Sequence, residues 1–182
     1  MATGEQEHRA FSELFAAAHR RVWAYAVRGG ASPADADDLV ADVFVVAWRR
    51  LPEIPTDDPV PWLLAVARNV RRNQLRSGRR SDALVERLRT EPSSVAEAPT
   101  RVQGEILAMR RALAALSDAD REVIQLAAVE ELSPSQIAQV LGCRPVTARV
   151  RLHRARGRLR ALLADTSTVQ PTADVTTERS GS

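Results

Sequence analysis

The chain has 182 residues, of which 45% are hydrophobic and 4% aromatic, and its formal net charge at pH 7 is +3. All 26 basic residues are arginine, and a single cysteine excludes a disulfide framework or a cysteine-rich zinc site. The three histidines lack ligand spacing, the N-terminus lacks an apolar signal core, and no stretch approaches the roughly 18 apolar residues of a membrane span. We therefore expect a cytoplasmic protein with no membrane insertion, metal or cofactor.

Apolar residues recur at helical spacing through most of the chain, and no segment alternates as a strand would, which predicts an all-α fold. The first apolar stripe consists of Phe11, Leu14, Phe15, Ala18, Val22 and Tyr25. It ends at Gly29 and Gly30, and "SPAD" from Ser32 predicts the capped start of a second helix. After the proline-rich loop "LPEIPTDDPVP", we expect Asp58 to cap a third helix that runs to about Ser77.

Opposite charges fall on successive segments of this first half. Residues 35–58 hold seven acids against Arg49 and Arg50, whereas residues 61–80 hold six arginines and no acid. Two interpretations are open. Either the helices neutralise each other within one bundle, or they form an anionic surface for a protein and a cationic surface for nucleic acid.

The middle of the chain loses the helical pattern and the second half regains it. Residues 81–104 are rich in proline, serine and acids without a sustained stripe, which indicates a linker. Periodicity returns at Ile106, Leu107, Arg110, Leu113 and Leu116, and "SDAD" from Ser117 predicts another capped helix. Residues 165–182 are polar and indicate a disordered tail. The expected organisation is thus a helical domain at 1–80, a linker, a second domain at 105–164, and the tail.

The segment "LSPSQIAQVLGCRPVTARVRLHRARGRL", residues 132–159, has the pattern of a helix-turn-helix. Ser133 caps a short helix that ends at Gly142, where a left-handed conformation is inexpensive, and Pro145 can begin the next helix. One side of that helix carries the apolar residues Ala148, Leu152, Ala155, Leu159 and Leu162. The opposite side carries Val146, Arg149, Val150, His153, Arg154 and Gly157.

The charge of this last helix requires a partner or a solvated surface. Residues 144–160 contain seven arginines and no acid, so ion pairs within the helix do not account for them. A face that serves solubility is one interpretation. Docking in the DNA major groove is the other, with residues near the helix start at base edges and flanking arginines such as Arg158 on phosphates.

Three segments, in this order, resemble extracytoplasmic-function (ECF) sigma factors of the sigma-70 family. "DADDLVADVFVVAWRR" resembles their polymerase-binding helix, "PWLLAVARNVRRNQLR" their promoter-melting helix, and "LSPSQIAQVLGCRPVTARVRLHRAR" their minus-35-reading helix-turn-helix. The resemblance covers most of residues 10–163. It implies two small helical domains joined by a flexible linker, which bind core RNA polymerase and promoter DNA and are regulated, in many members, by an anti-sigma factor.

The resemblance implies a role for individual positions in this sequence. The positions that would contact polymerase are Asp38, Ala41, Asp42 and Val45. Those that would melt and read the minus-10 element are Trp62, Arg68, Asn69, Arg72, Asn73 and Arg76. Those that would read the minus-35 element are Arg144, Val146, Thr147, Arg149, Val150, His153 and Arg154. The loop from Pro52 to Val60 would hold a flipped base. Trp48 also matches the polymerase-binding pattern, although its residue type favours the core.

Four positions depart from the family pattern. Ala41 stands where a polar residue is frequent, and Asn73 replaces an acid. Arg144 stands where a serine cap is usual, and Val146 where glycine is frequent. These departures concern one polymerase contact, the charge of the melting helix, and the start of the recognition helix.

Two other classes of protein compete with this interpretation. A helix-turn-helix activator or repressor would explain residues 132–159 but would leave residues 35–80 without a purpose, and it would usually need to dimerise. An all-α enzyme would need a phosphate loop, a nucleophile with its base, or a metal cluster, and the sequence contains none of these patterns. We therefore expect no catalysis and no small-molecule substrate.

Overall fold

The computed structural model describes residues 2–76 and 101–167, in which all regular structure is helical. The helices are α1 (Ala2–Arg28), α2 (Pro33–Arg49), α3 (Val60–Arg76), α4 (Arg101–Ala115), α5 (Asp118–Ala128), α6 (Pro134–Leu141) and α7 (Pro145–Ser167). A 3₁₀ turn, Leu51–Glu53, follows α2. The predicted all-α class is confirmed.

The predicted linker and tail lie largely outside the described residues. Residues 101–104 of the expected linker form the start of α4, and residues 165–167 of the expected tail form the end of α7. The helices therefore extend a few residues beyond the boundaries predicted at 104 and 164. The domain division itself stays a prediction.

Capping side chains begin the helices where the sequence predicts them, with one exception. The Ser32 and Ser117 hydroxyls each accept a hydrogen bond of 3.2 Å from the backbone N–H three residues later. Asp58 does not cap α3, because the first helical bond runs from Leu63 N–H to the Pro59 carbonyl, which makes Pro59 the capping residue. The Asp58 carboxylate instead accepts a hydrogen bond from Gln136.

The first bundle packs α1 against α2 and α3, with α2 and α3 also in contact. Its fully buried side chains include Val22, Leu39, Val43, Leu63 and Leu64. Phe15 departs from the predicted core stripe because 40% of it is exposed. Its ring lies at the edge of the bundle, 4.8 Å from the Phe44 ring.

The second bundle is built around α7, which packs on α4, α5 and α6. Ala148, Leu152 and Ala155 of α7 are buried as predicted. Ile106 and Leu107, which belong to the predicted helical period of α4, are 54% and 40% exposed and lie outside the core. Within the described residues α4 packs mainly against α7, so one neighbouring helix covers only part of its apolar surface.

The two bundles are in direct contact. Helix α3 of the first packs against α6 of the second, and the buried apolar residues of both bundles belong to one contiguous cluster. The described part of the chain is thus closed upon itself. Within it, no helix is both long enough and apolar enough to cross a membrane.

Candidate DNA and polymerase interfaces

The helix-turn-helix has the geometry that its sequence predicts. At the start of α6, the Ser133 hydroxyl accepts from the Gln136 N–H at 3.4 Å, and the Gln136 side chain accepts from the Ser133 N–H at 2.7 Å, which completes a capping box. Gly142 ends α6 at φ 64°, in the left-handed region. Pro145 then begins α7. Cys143 lies half-buried in the turn and packs against the core.

The side of α7 opposite its core stripe faces outward. Val146 and Val150 are 65% and 42% exposed. The polar residues Arg144, Arg149, His153 and Arg154 are also exposed, and Thr147 is half-buried. Within the described residues, none of these side chains forms an ion pair. The structure therefore brings the predicted minus-35 residues together on one largely exposed, cationic side of α7.

Arg158, on the flank of the same helix, is different. Its Nη1 atom lies 2.6 Å from Asp120 Oδ2 and 2.8 Å from Oδ1. The Asp120 side chain is 13% exposed and also accepts a hydrogen bond from Ser117. Arg158 thus ties α7 to the start of α5, so the expectation that it is free to meet a DNA phosphate is corrected.

Most of the predicted melting residues share one exposed side of α3. Asn69, Arg72, Asn73 and Arg76 are exposed, and their spacing places them on the same side of the helix as Trp62. Trp62 is half-buried at the start of the helix, where the Arg50 guanidinium carbon lies 5.8 Å from the centre of its ring. This surface offers amide, guanidinium and aromatic groups, which suit an unpaired strand.

Arg68 does not belong to this exposed group. Its side chain is 20% exposed, and its Nε atom lies 2.9 Å from Glu122 Oε1 of α5. Arg71, one turn later, donates to the carbonyl of Gly29. The structure therefore directs one predicted melting residue towards the second bundle.

The predicted polymerase residues form a stripe along α2. Asp38, Ala41, Asp42 and Val45 are all exposed. Trp48 continues the stripe and is 46% exposed, with its ring 5.0 Å from that of Phe11. The interpretation of Trp48 as a core residue is therefore wrong. Trp48 lies one helical turn after Val45, and this spacing is the sequence signal that both side chains share the exposed side of α2.

The acids of α2 are not neutralised by the arginines of α3. Within the described residues none of these carboxylates pairs with an arginine; Asp42 accepts from the Gln74 amide at 3.2 Å and Asp37 from the Trp23 indole at 2.8 Å. Of the two interpretations of the segregated charges, the structure favours two surfaces for two partners. In residues 2–76 and 101–167 there is also no cluster of His, Cys, Asp and Glu that could hold a metal ion.

Glu122 and Glu130 are functional candidates that the sequence did not reveal. Both carboxylates bond to arginines of the first bundle, at sequence separations of 54 to 109 residues. No local sequence pattern around Glu122 or Glu130 indicates a partner so distant in the chain. These two residues add ion pairs to the contact that α3 and α6 make between the bundles.

Comparison with protein families gives the class of protein that this arrangement represents. The family model described as Sigma-70 region 2 matches residues 14–81, and the model described as Sigma-70, region 4 matches residues 106–159. The first match contains α2 and α3, and the second contains the helix-turn-helix.

Individual relatives agree with this class. The chain is 33% identical over 160 residues to the RNA polymerase sigma factor CarQ of Myxococcus xanthus, covering 86% of this chain and 90% of CarQ. It is 34% identical over 151 residues to the ECF RNA polymerase sigma factor SigL of Mycobacterium tuberculosis, covering 79% and 83%. The solved sigma factor RpoE of Bartonella quintana, in complex with the anti-sigma factor NepR, matches with a TM-score of 0.59 and 27% identity, covering 85% and 96%.

The chain belongs to the sigma-70 family, and within it to the ECF sigma factors. It is an alternative sigma factor that binds core RNA polymerase and directs transcription from specific promoters. Sigma factors are DNA-recognition subunits of the polymerase and are not themselves enzymes.

Proposed function

We propose that three surfaces of this sigma factor divide the work of promoter recognition. The exposed side of α7 reads the minus-35 element, the exposed side of α3 captures and melts the minus-10 element, and the α2 stripe binds polymerase. The observation that carries the proposal is the segregation of these surfaces. Within the described residues, no ion pair is formed by the exposed arginines Arg72 and Arg76 of α3 and Arg144, Arg149 and Arg154 of α7, or by Asp38 and Asp42 of the acidic stripe.

On α7, the roles follow from exposure and chemistry. Arg149 and Arg154 carry planar guanidinium groups, which can donate two hydrogen bonds to the major-groove edge of guanine. His153 lies between them, and Val146 and Val150 can contact apolar base edges such as the thymine methyl group. Arg144 and Thr147 lie at the start of α7, from which side chains can reach both the DNA backbone and the base edges.

On α3, the proposed roles use the exposed amides and the aromatic ring. Asn69 and Asn73 can hydrogen-bond to base edges, and Arg72 and Arg76 can contact phosphates. Trp62 offers a surface on which an extruded base can stack. Arg68 joins this group when the contact with Glu122 is released.

On α2, an anionic stripe with an apolar end suits a basic protein surface. Asp38 and Asp42 supply charge that steers association, and Val45 and Trp48 supply apolar area that water leaves on binding. Ala41 lies between the two acids and allows close approach. Trp48 is the type of side chain most often found at the energetic centre of an interface.

Regulation and location complete the proposal. The similarity to RpoE, which was solved with an anti-sigma factor, supports regulation of this chain by a protein of that kind. Because the protein acts on RNA polymerase, its proposed location is the cytoplasm. It performs no covalent chemistry of its own, because each proposed surface binds and positions a macromolecule.

The test is reconstitution of the protein with core RNA polymerase, followed by mapping of transcript starts across the genomic DNA of its organism. We expect starts at a set of sites that share an upstream and a downstream element and that are absent with core polymerase alone. The Arg149→Ala/Arg154→Ala variant should lose these starts, whereas Arg9→Ala/Arg20→Ala, two exposed positions on α1, should keep them. Sequence-specific DNA binding that is independent of polymerase, with no new starts, would refute the sigma role.

A further inference from the structure

Arg50 lies where α2 ends and the loop proposed to hold a flipped base begins. Its backbone N–H still donates to the carbonyls of Val46 and Ala47, at 3.1 and 3.3 Å, and its own carbonyl accepts from the Glu53 N–H at 2.9 Å. The same residue therefore ends the helix and starts the 3₁₀ turn Leu51–Glu53. The backbone at Arg50 is held from both sides.

The Glu53 carboxylate fixes the direction of the Arg50 side chain. Arg50 Nε donates to Glu53 Oε1 at 3.0 Å, and Arg50 Nη2 donates to Glu53 Oε2. Hydrogen bonding to Arg50 lowers the pKa of the Glu53 carboxyl, so the carboxylate stays ionised and keeps accepting both bonds. A bidentate contact of this kind sets the plane of the guanidinium as well as its position.

The second neighbour of the Arg50 side chain is Trp62, the proposed stacking surface for an extruded base. The guanidinium carbon lies 5.8 Å from the centre of the indole ring, within the range of a cation–π contact. Direct stacking on the ring centre would bring the atoms to about 4 Å. The guanidinium therefore flanks the ring without stacking closely on its centre, and a base that stacks on Trp62 comes to lie beside Arg50.

One edge of this guanidinium has no acceptor. The bonds to Glu53 use the edge formed by Nε and Nη2, whereas Nη1 makes no hydrogen bond within the described residues. Each Nη atom carries two N–H groups, so the edge formed by Nη1 and Nη2 presents a pair of parallel donors. The Arg50 side chain is 52% exposed, so a ligand can approach it.

Only two of the four bases complement a pair of parallel donors. Guanine presents N7 and O6 as neighbouring acceptors, and arginine forks onto them more often than onto any other base edge. Cytosine, once it is unpaired, presents N3 and O2 side by side. Adenine carries an amino donor beside N7, and thymine carries an N–H between its two carbonyls, so neither base offers two adjacent acceptors.

We propose that Arg50 is a specificity-determining residue for the minus-10 element and selects guanine or cytosine at the extruded position. Glu53 is the positioning residue that orients its guanidinium, and Trp62 supports the selected base. Arg50 thus adds to the exposed side of α3 a base-reading group that α2 supplies. The inference rests on the proposed function, because it names the bases that the loop from Pro52 to Val60 captures.

The test measures binding of the reconstituted holoenzyme to single strands that contain the downstream element of a mapped promoter. Fluorescence anisotropy is recorded with oligonucleotides in which each position carries each of the four bases in turn. One position should prefer guanine or cytosine over adenine and thymine by about fivefold or more, as a forked arginine provides. In Arg50→Lys, whose ammonium keeps the charge but cannot fork, the preference should fall below about twofold.

Atom substitution in the DNA identifies the acceptor and separates the two bases. If guanine is preferred, 7-deazaguanine removes N7; if cytosine is preferred, 3-deazacytosine removes N3. Either analogue should bind the unmodified holoenzyme about as weakly as adenine does. It should cost Arg50→Lys nothing further, because both changes remove the same contact.

The matched control is Arg49→Lys, the same change at the neighbouring exposed position, which pairs with neither Glu53 nor Trp62 in the described part of the chain. It should keep the preference. Glu53→Ala leaves Arg50 in place but removes the group that orients it, and should reduce the preference by about twofold or more. Exposed ion pairs contribute little to folding stability, so circular dichroism should show the same helical content in every variant.

A preference that survives in Arg50→Lys, or that favours adenine or thymine at every position, would overturn the inference. Equal weakening for all four bases, with the preference intact, would assign Arg50 to a phosphate and would also overturn base reading. An unchanged preference in Glu53→Ala would remove the positioning role of Glu53. Absence of any base preference in the unmodified holoenzyme would instead refute base capture itself, which belongs to the proposed function.

Discussion

Arg154 and Arg158 lie one turn apart on α7, yet Arg154 is exposed without an ion-pair partner in the described residues and Arg158 pairs with Asp120. The same contrast holds between Arg72, which is exposed on α3, and Arg68, which pairs with Glu122. A sequence in which every basic residue is arginine therefore uses one side chain for two purposes. The position of the nearest carboxylate determines which purpose each arginine has.

This contrast leads to a prediction for base recognition. Arg149→Ala or Arg154→Ala should relax the preference at particular minus-35 positions, because each guanidinium that forks onto guanine contributes about 1 to 3 kcal/mol of discrimination. Selection from randomised upstream duplexes by the reconstituted holoenzyme measures this effect.

Arg158→Ala is the control on the same helix. It should leave the selected sequence unchanged and should cost less than about 1 kcal/mol of stability, because its guanidinium is mostly exposed. If both Arg149→Ala and Arg154→Ala select the original sequence, this side of α7 does not read bases.

At the scale of helices, residues near the ends could be predicted well because their causes are local. Ser32, Ser117 and Ser133 each cap the helix that the sequence indicated, and Gly142 takes the left-handed conformation that ends α6. Each of these features depends on a few consecutive residues. Asp58 does not cap α3, whose capping residue is Pro59, and the Asp58 carboxylate accepts a hydrogen bond from Gln136, a residue of the other bundle that no local pattern contains.

Two glycines of the recognition unit should respond to alanine in opposite ways. Gly142 has φ 64° with open space around its absent Cβ, so Gly142→Ala should destabilise the protein by about 1 to 2 kcal/mol through backbone strain alone. Gly157 lies inside α7, also with open space, and Gly157→Ala should stabilise it by about 0.5 to 1 kcal/mol. Urea unfolding midpoints with an unchanged slope report both effects. Equal shifts of the same sign would contradict the assigned backbone conformations.

The faces of the helices were harder to predict than their ends. Phe15, Trp48 and Ile106 fit apolar or core patterns in the sequence, but all three are at least 40% exposed. Helical periodicity shows which residues share a side, whereas the number of neighbouring helices decides how much of that side is covered. That number depends on the tertiary fold.

The exposed stripe of α2 gives a prediction at this scale. Asp38→Arg/Asp42→Arg should weaken binding to core polymerase by about tenfold or more, because it reverses the charge of the stripe while leaving the buried side of the helix intact. Trp48→Ala should also weaken binding, since it removes exposed apolar area. Titration of labelled polymerase measures the dissociation constants, and circular dichroism checks the helices.

The control for this change in charge lies in the second bundle. Glu105→Arg/Asp165→Arg alters the net charge by the same amount away from α2 and should bind polymerase more tightly than the α2 double variant does. Unmodified affinity in a folded Asp38→Arg/Asp42→Arg protein would exclude α2 as the polymerase surface.

At the scale of the whole molecule, the sequence predicted two helical units but not their contact. The residues that join them, Glu122 and Glu130 with Arg21, Arg28 and Arg68, are ordinary surface types in any local window. Charge segregation left open whether the acidic and basic helices of the first bundle neutralise each other or serve different partners. It did not indicate that one partner of the basic surface is the second bundle itself.

A contiguous core and a shared set of ion pairs predict that the bundles unfold together. Calorimetry of the unmodified protein should give one cooperative transition, whereas Glu122→Gln/Glu130→Gln should separate it into two, because each domain then melts with its own stability. Glu7→Gln/Glu13→Gln, which removes the same charge at two exposed positions of α1, should retain the single transition. Two transitions in the unmodified protein would show that the domains are thermodynamically independent.

The order along the chain of the residues that join the bundles has a consequence for synthesis on the ribosome. Arg68 precedes Glu122 by 54 residues, and Arg21 and Arg28 come earlier still. At about 5 to 20 residues per second, a nascent chain exposes its first domain for roughly 3 to 11 s before Glu122 is even made. Every newly translated molecule therefore passes through an open state, in which the polymerase stripe and the unpaired arginines are accessible, before it can close for the first time.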